Sequence, residues 1–142
     1  MKYAINKDVL AKACKTARIS NKAAIKICRK INRLKFQKAV SIINDLVSKK
    51  ISLEGKYFTS AAKSIQNLLK ELEANAKQKN IDLNSTILFI SSHKGPTLMR
   101  SRRKRKFGIY IKSTNLQAVL KKHEGMKKEK VQENEGKKDS TR

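Results

Sequence analysis

Acidic residues are scarce, and over two long stretches they are missing altogether. None occurs between Asp82 and Glu124, and between Asp8 and Asp45 there are ten Lys/Arg with no Asp or Glu. The formal net charge is +24. A chain this self-repelling is tolerated where a polyanion neutralises it, which points to nucleic acid. The carboxylates that remain are scattered, which speaks against a metal-dependent nuclease. Cysteine is limited to Cys14 and Cys28. Two thiols do not make a four-cysteine zinc site, and neither His93 nor His123 is spaced from them as a finger requires. Cys28 reads as a small buried hydrophobe, and no disulfide framework is implied. Only seven Phe/Tyr are present, too few and too dispersed for a generic single-strand stacking platform. No apolar run approaches transmembrane length, and the N-terminus has no signal-peptide core, so a soluble cytosolic chain without membrane insertion is expected. Charge spread over the whole chain, rather than along one amphipathic helix, disfavours a membrane-surface role. Gly-rich phosphate loops, HExxH and GxSxG are all missing, so no enzyme is predicted, and no cofactor or metal.

What is there is a cationic stretch between two apolar runs. From Ser91 to Lys112 the chain reads SSHKGPTLMRSRRKRKFGIYIK, and residues 100–106 place six cations in seven positions. Ile87-Leu88-Phe89-Ile90 precedes it and Leu116-Gln117-Ala118-Val119-Leu120 follows. Two such runs around a basic tip predict a long β-hairpin over about 86–120, its stem joining a sheet and its end leaving the domain. Unpaired cations are too costly to desolvate against a core, so the arm lies against a polyanion or stays in water.

Elsewhere the pattern is helical. Ser20 reads as an N-cap, followed by Ala24, Ile27, Cys28 and Ile31 at helical spacing, with Lys22, Lys26, Arg29, Lys30 and Arg33 facing outward. A second helix is predicted over 36–48, burying Phe36, Ala39, Val40, Ile43, Leu46 and Val47. Gly55 marks a loop over 51–57. A third, longest helix runs from Thr59 or Ser60 to about Lys79, burying Ala61, Ile65, Leu68, Leu69, Leu72 and Ala76. Glu71 and Glu73 make it the most nearly neutral helix, a packing element rather than a ligand face. Tyr3-Ala4-Ile5 and Ala17-Arg18-Ile19 read as short extended pieces around a Lys-rich linker. Residues 1–120 are read as one domain, and 121–142, Lys/Glu-rich and almost without apolar residues, are expected to form a disordered tail. The order of elements predicts an α+β fold with a small antiparallel sheet and room for an N-terminal strand.

Several stretches together resemble one family. Gly55-Lys56-Tyr57, the run Ala61-Ala62-Lys63-Ser64-Ile65-Gln66-Asn67-Leu68-Leu69 and the closing Glu73-Ala74-Asn75-Ala76 are similar to the large-subunit ribosomal protein 22 family in its archaeal and eukaryotic form. Ile19-Ser20-Asn21-Lys22-Ala23 resembles its first helix opening, His93-Lys94-Gly95 with Thr97-Leu98 the start of its hairpin, and Lys112-Ser113-Thr114-Asn115-Leu116 its return strand. The match covers roughly 19–120. The resemblance implies three helices on a three-stranded antiparallel sheet, with a long protruding basic β-hairpin. It also implies a structural part of the large ribosomal subunit that binds its RNA and neighbouring proteins, supports assembly and contributes its hairpin to the peptide exit tunnel, beside the nascent peptide. A homo-oligomer is not expected. Three departures stand out: Phe58 where the family has Pro, Asn115 where it has His, and Gly108-Ile109-Tyr110-Ile111 where it has a basic return strand.

The charge alone would equally suit a free RNA chaperone or a nucleoid-type DNA binder. An RNA-directed enzyme lacks its catalytic set. The residues expected to touch RNA are Arg100, Arg102, Arg103, Lys104, Arg105 and Lys106 at the tip. His93, Lys94 and Lys112 join them on the stem, and Lys22, Arg29, Lys30 and Arg33 on the first helix. Arginine's planar fork suits bidentate phosphate contact and lysine acts as a point charge. Gly95 and Gly108 are read either as points of close backbone approach or unusual dihedrals, or as an ordinary hairpin kink.

Overall fold

The strand β5 (Thr114–Lys122) lies between β1 (Ala11–Ala17) and β2 (Thr86–Lys94), antiparallel to both. The computed structural model to which these elements belong describes residues 9–100 and 108–122, and only the backbone of Arg100 and Ile109. From Leu116 to Leu120 this central strand is buried on both faces, so it carries apolar residues without strict alternation. Leu116, Ala118 and Leu120 point to one face, in register with Leu88 and Ile90 of β2 and with Ala11 and Ala13 of β1, and all seven are buried. Gln117 and Val119 point the other way. There the ammonium of Lys121 sits 5.3 Å from the centre of the Phe89 ring.

Three helices cover the buried face: α1 (Asn21–Ile31), α2 (Phe36–Val47) and α3 (Thr59–Gln78). Ala24, Ile27, Cys28 and Ile31 of α1 are buried, as are Phe36, Ala39, Ile43 and Leu46 of α2. Val40 and Val47 pack at the rim rather than inside. α3 buries Ala61, Ala62, Ile65, Leu68, Leu69, Leu72 and Ala76, and truncating one of its fully buried leucines to Ala would cost about 2–5 kcal/mol. Burial pushes the Cys28 thiol up from 9.0 to about 11, because the thiolate would be desolvated.

Both sheet edges are covered in part. Arg33, at φ 63°, turns its N–H onto the Leu88 carbonyl at 2.8 Å, Leu34 accepts from the Leu88 N–H at 2.9 Å, and Asn32 Oδ1 accepts from the Ile90 N–H at 3.3 Å. On the β1 side, Asn75 Nδ2 and Lys79 Nζ of α3 and its end donate to the carbonyls of Lys12 and Leu10, each at 3.0 Å. Contacts of this kind blunt an edge against pairing with further strands.

Two boundaries differ from the sequence reading. Residues 11–17, read as a Lys-rich linker running into an extended piece at Ala17, are β1. Lys12, Cys14 and Thr16 point outward while Ala11 and Ala13 point into the core. This period-2 pattern is weakened by alanine's small size and broken by Lys15, which shares their face and pairs with Glu71 of α3. β5 also runs through Lys121 and Lys122, into the stretch assigned to the tail, because these pair with Ile87 and Thr86. The extended piece expected at Tyr3–Ile5 and residues 123–142 lie outside the described residues.

Beyond β2 the chain continues as β3 (Leu98–Arg100), which pairs with β4 (Ile109–Ile111). Lys94 pairs with Thr114, and Leu98 with Ile111, so the three residues 95–97 face only the two residues 112–113. This one-residue excess is a bulge, and Pro96, which has no N–H to give the ladder, sits in it. The residues that would close this ladder into a hairpin, 101–107, lie outside the described residues.

Candidate nucleic-acid interface

The bulge sits beside the start of α1, and the two enclose a cleft of about 590 Å³. Arg18, Lys22, Lys94 and Lys112 line it together with Ser20, Asn21, Ser60, Thr97 and Ser113, with no carboxylate among the described residues of its walls. Four cations therefore come from four separate segments: the β1–α1 connection, the first turn of α1, the end of β2 and the β4–β5 connection. Hydrogen bonds hold those segments in place. Thr114 Oγ1 donates to the Ile19 carbonyl at 2.9 Å in a buried position, tying the start of β5 to the approach to α1. Thr16 Oγ1 donates to Asn115 Oδ1 at 2.9 Å, and Ser113 Oγ donates to the Pro96 carbonyl at 2.6 Å.

The helix start adds to the positive field. Ser20 occupies the N-cap position of α1, but its hydroxyl makes no capping bond, and the first turn holds no acid. The opening amides of the helix are therefore left to other acceptors, and the dipole favours an anion there. At the start of α3 the N-cap position belongs to Phe58, at φ 45°, which has no side-chain acceptor. A proline, locked near −65°, could not adopt that angle, so the departure at Phe58 changes the path of the chain itself.

Lys22, Lys94 and Lys112 of the sequence-predicted set thus meet at the root of the arm. Arg29, Lys30 and Arg33 are exposed at the opposite end of α1, about 16 Å along an eleven-residue helix. His93 is exposed in β2, in register with Asn115. The backbone of Arg100 lies in β3. Arg102, Arg103, Lys104, Arg105 and Lys106 lie outside the described residues. Arg18 was missed, because it followed a segment read as unstructured; the signal available was its position two residues before the Ser20 cap. The body of α3 packs as expected, yet Ser60 in its first turn borders the cleft, so this helix is not purely a packing element.

Lysines outside the cleft are partly neutralised. Lys15 pairs with Glu71, Lys26 with Glu54, and Lys77 with Glu73 at 2.8 Å. These pairs are solvent-exposed and add little stability. Among the described residues, none of the four cleft cations forms an ion pair. The cleft is thus a concentrated positive site without an ion-pair partner among the described residues.

Two archaeal proteins and one family model are similar to this chain. The large ribosomal subunit protein uL22 of Methanocaldococcus jannaschii is 29% identical over 120 residues, covering 70% of this chain and 77% of that protein. The protein of the same name from Archaeoglobus fulgidus is 30% identical over 102 residues, covering 58% of this chain and 66% of its own length. The family model for ribosomal protein L22p/L17e matches residues 13–121, from the second residue after the start of β1 nearly to the end of β5, and so includes every described strand and helix that builds the cleft. The chain belongs to the ribosomal protein L22p/L17e family.

Proposed function

We propose that this chain is a structural, non-catalytic constituent of the large ribosomal subunit, which binds the subunit's RNA and supports its assembly in the cytoplasm. The observation that carries the reading is the acid-free cleft where Arg18, Lys22, Lys94 and Lys112 converge. Recognition is through phosphate and shape, since the deep narrow groove of an RNA helix hides its bases. The cleft grips RNA at the root of the arm. The cations from Arg100 to Lys106 continue that grip along the arm, and Arg29, Lys30, Arg33 and His93 supply further phosphate partners. The arm extends into the wall of the peptide exit tunnel, where it faces the nascent peptide. The protein acts as a single copy among neighbouring large-subunit proteins, and the segment after Lys122 is not needed for folding.

Sedimentation through a high-salt gradient tests this directly. The endogenous protein is expected to travel with large subunits. Release into the top fractions, or recovery with DNA, would overturn the reading and favour a free nucleic-acid binder.

A further inference from the structure

A second cavity, of about 490 Å³, opens between the first turns of α1 and α3. It adjoins the cationic cleft, and the two share Ile19, Ser20 and Ser60 as walls. Its character is different. Ile19, Ala23, Phe58 and Ala61 make an apolar floor, Tyr57 stands beside them, and Lys49 and Lys56 supply charge without any carboxylate. We propose that this cavity receives one unstacked nucleotide of RNA, its base against Tyr57 and its phosphate beside Lys49 and Lys56. The proposal rests on RNA being the partner.

Three observations support it. The volume falls in the range of cavities that bury a small organic ligand. Tyr57 is 43% exposed, a large aromatic that the core does not use. Phe58 packs against the core and has the Lys26 ammonium 5.8 Å from its ring centre, so of the two aromatics Tyr57 is the one left to stack. The continuity of the two cavities supplies the third: a strand whose phosphates run through the cleft presents its next nucleotide at this opening. Charge complementarity favours RNA over a protein side chain here, since among the described residues six cations and no acid line the joined space. Sequence-specific RNA recognition characteristically takes unstacked bases onto aromatic faces in this way.

The test uses the full chain and two RNAs: a perfectly paired duplex and the same duplex carrying one unpaired nucleotide. Wild-type protein is expected to prefer the bulged RNA by about tenfold, the scale of one base–aromatic stack. Tyr57→Ala should abolish that preference while changing affinity for the paired duplex less than about twofold, and Tyr57→Phe, which retains the stacking ring, should keep it. Equal wild-type affinity for both RNAs, or a preference that survives Tyr57→Ala, would overturn the nucleotide pocket and leave the RNA reading standing. Failure to bind either RNA would overturn both.

Discussion

Gly95 and Ser113 fit so closely across the root of the arm that a side chain on the glycine has nowhere to go. The Gly95 N–H donates to the Ser113 carbonyl at 2.9 Å, and a Cβ on Gly95 would stand 2.5 Å from Ser113 Oγ and 3.1 Å from Ser113 C. The Ser113 hydroxyl is itself held by the Pro96 carbonyl. Gly95→Ala should therefore destabilise the protein by about 1–3 kcal/mol in chemical denaturation, as overpacking does. Ser113→Ala removes the nearest atom, so the double variant should be less destabilised than the sum of the single ones. Strict additivity would show that this close approach does not constrain the arm.

Lys49 follows the end of α2 at φ 60°, in the left-handed position where glycine is usual. Its N–H reaches the Leu46 carbonyl at 3.3 Å and that of Lys50 reaches Asp45 at 2.9 Å, a complete Schellman closure. Lys49→Gly should stabilise the free protein by about 0.5–1 kcal/mol, the left-handed strain less the entropy that glycine adds to the unfolded chain. It should weaken RNA binding at the same time, because Lys49 lines the second cavity. Thermal melts and titrations on the same variant check both halves.

The two thiols should behave differently. Cys14 is exposed and Cys28 buried, so a maleimide should label one thiol in native protein and two in denaturant. The Cys28 thiol ionises at about 11 in the folded state against 9.0 when free. The stability due to that shift is complete below pH 9.0 and is lost as pH rises toward 11, at up to about 1.4 kcal/mol per unit. Cys28→Ala should flatten that part of the stability–pH profile. A profile unchanged by the substitution would show that the thiol is not desolvated.

Helix positions were legible because bulky apolar residues recur at helical spacing: Ile27 and Ile31, Ile43 and Leu46, Ile65, Leu68 and Leu72 all prove fully buried. β1 was not, since Ala11 and Ala13 give a period-2 signal no stronger than a loop's, and Lys12 and Lys15, three apart and so on opposite faces, read as linker. The cleft was half legible. Lys22, Lys94 and Lys112 stood out as charges, but their meeting with Arg18 depends on the β1–β5 pairing and on the bulge at 95–97, which are long-range facts. The second cavity left only one trace, Phe58 in place of a proline.

Neutralising Arg102, Arg103 and Arg105 together should leave the stability of the free protein within about 0.5 kcal/mol. Incorporation into large subunits should fall sharply, because removing each charge-assisted hydrogen bond to phosphate costs about 1.5–3 kcal/mol. Pulse-labelled assembly assays beside thermal melts would decide. A variant that melts early yet assembles normally would reverse the expected roles.

The salt dependence of RNA affinity is the most direct test of the cationic root. Replacing Lys22, Lys94 and Lys112 by Ala removes three charges from the cleft. Replacing Lys38, Lys63 and Lys70, exposed on the outward faces of α2 and α3, removes the same net charge elsewhere. Every phosphate that is no longer neutralised should reduce the slope of log affinity against log salt by about 0.7–0.9. The magnitude of the slope should thus fall by about 2–2.7 in the cleft variant, and by much less in the helix-face variant. Equal reductions in the two would mean that RNA feels only the overall charge, and would contradict a defined grip at the root of the arm.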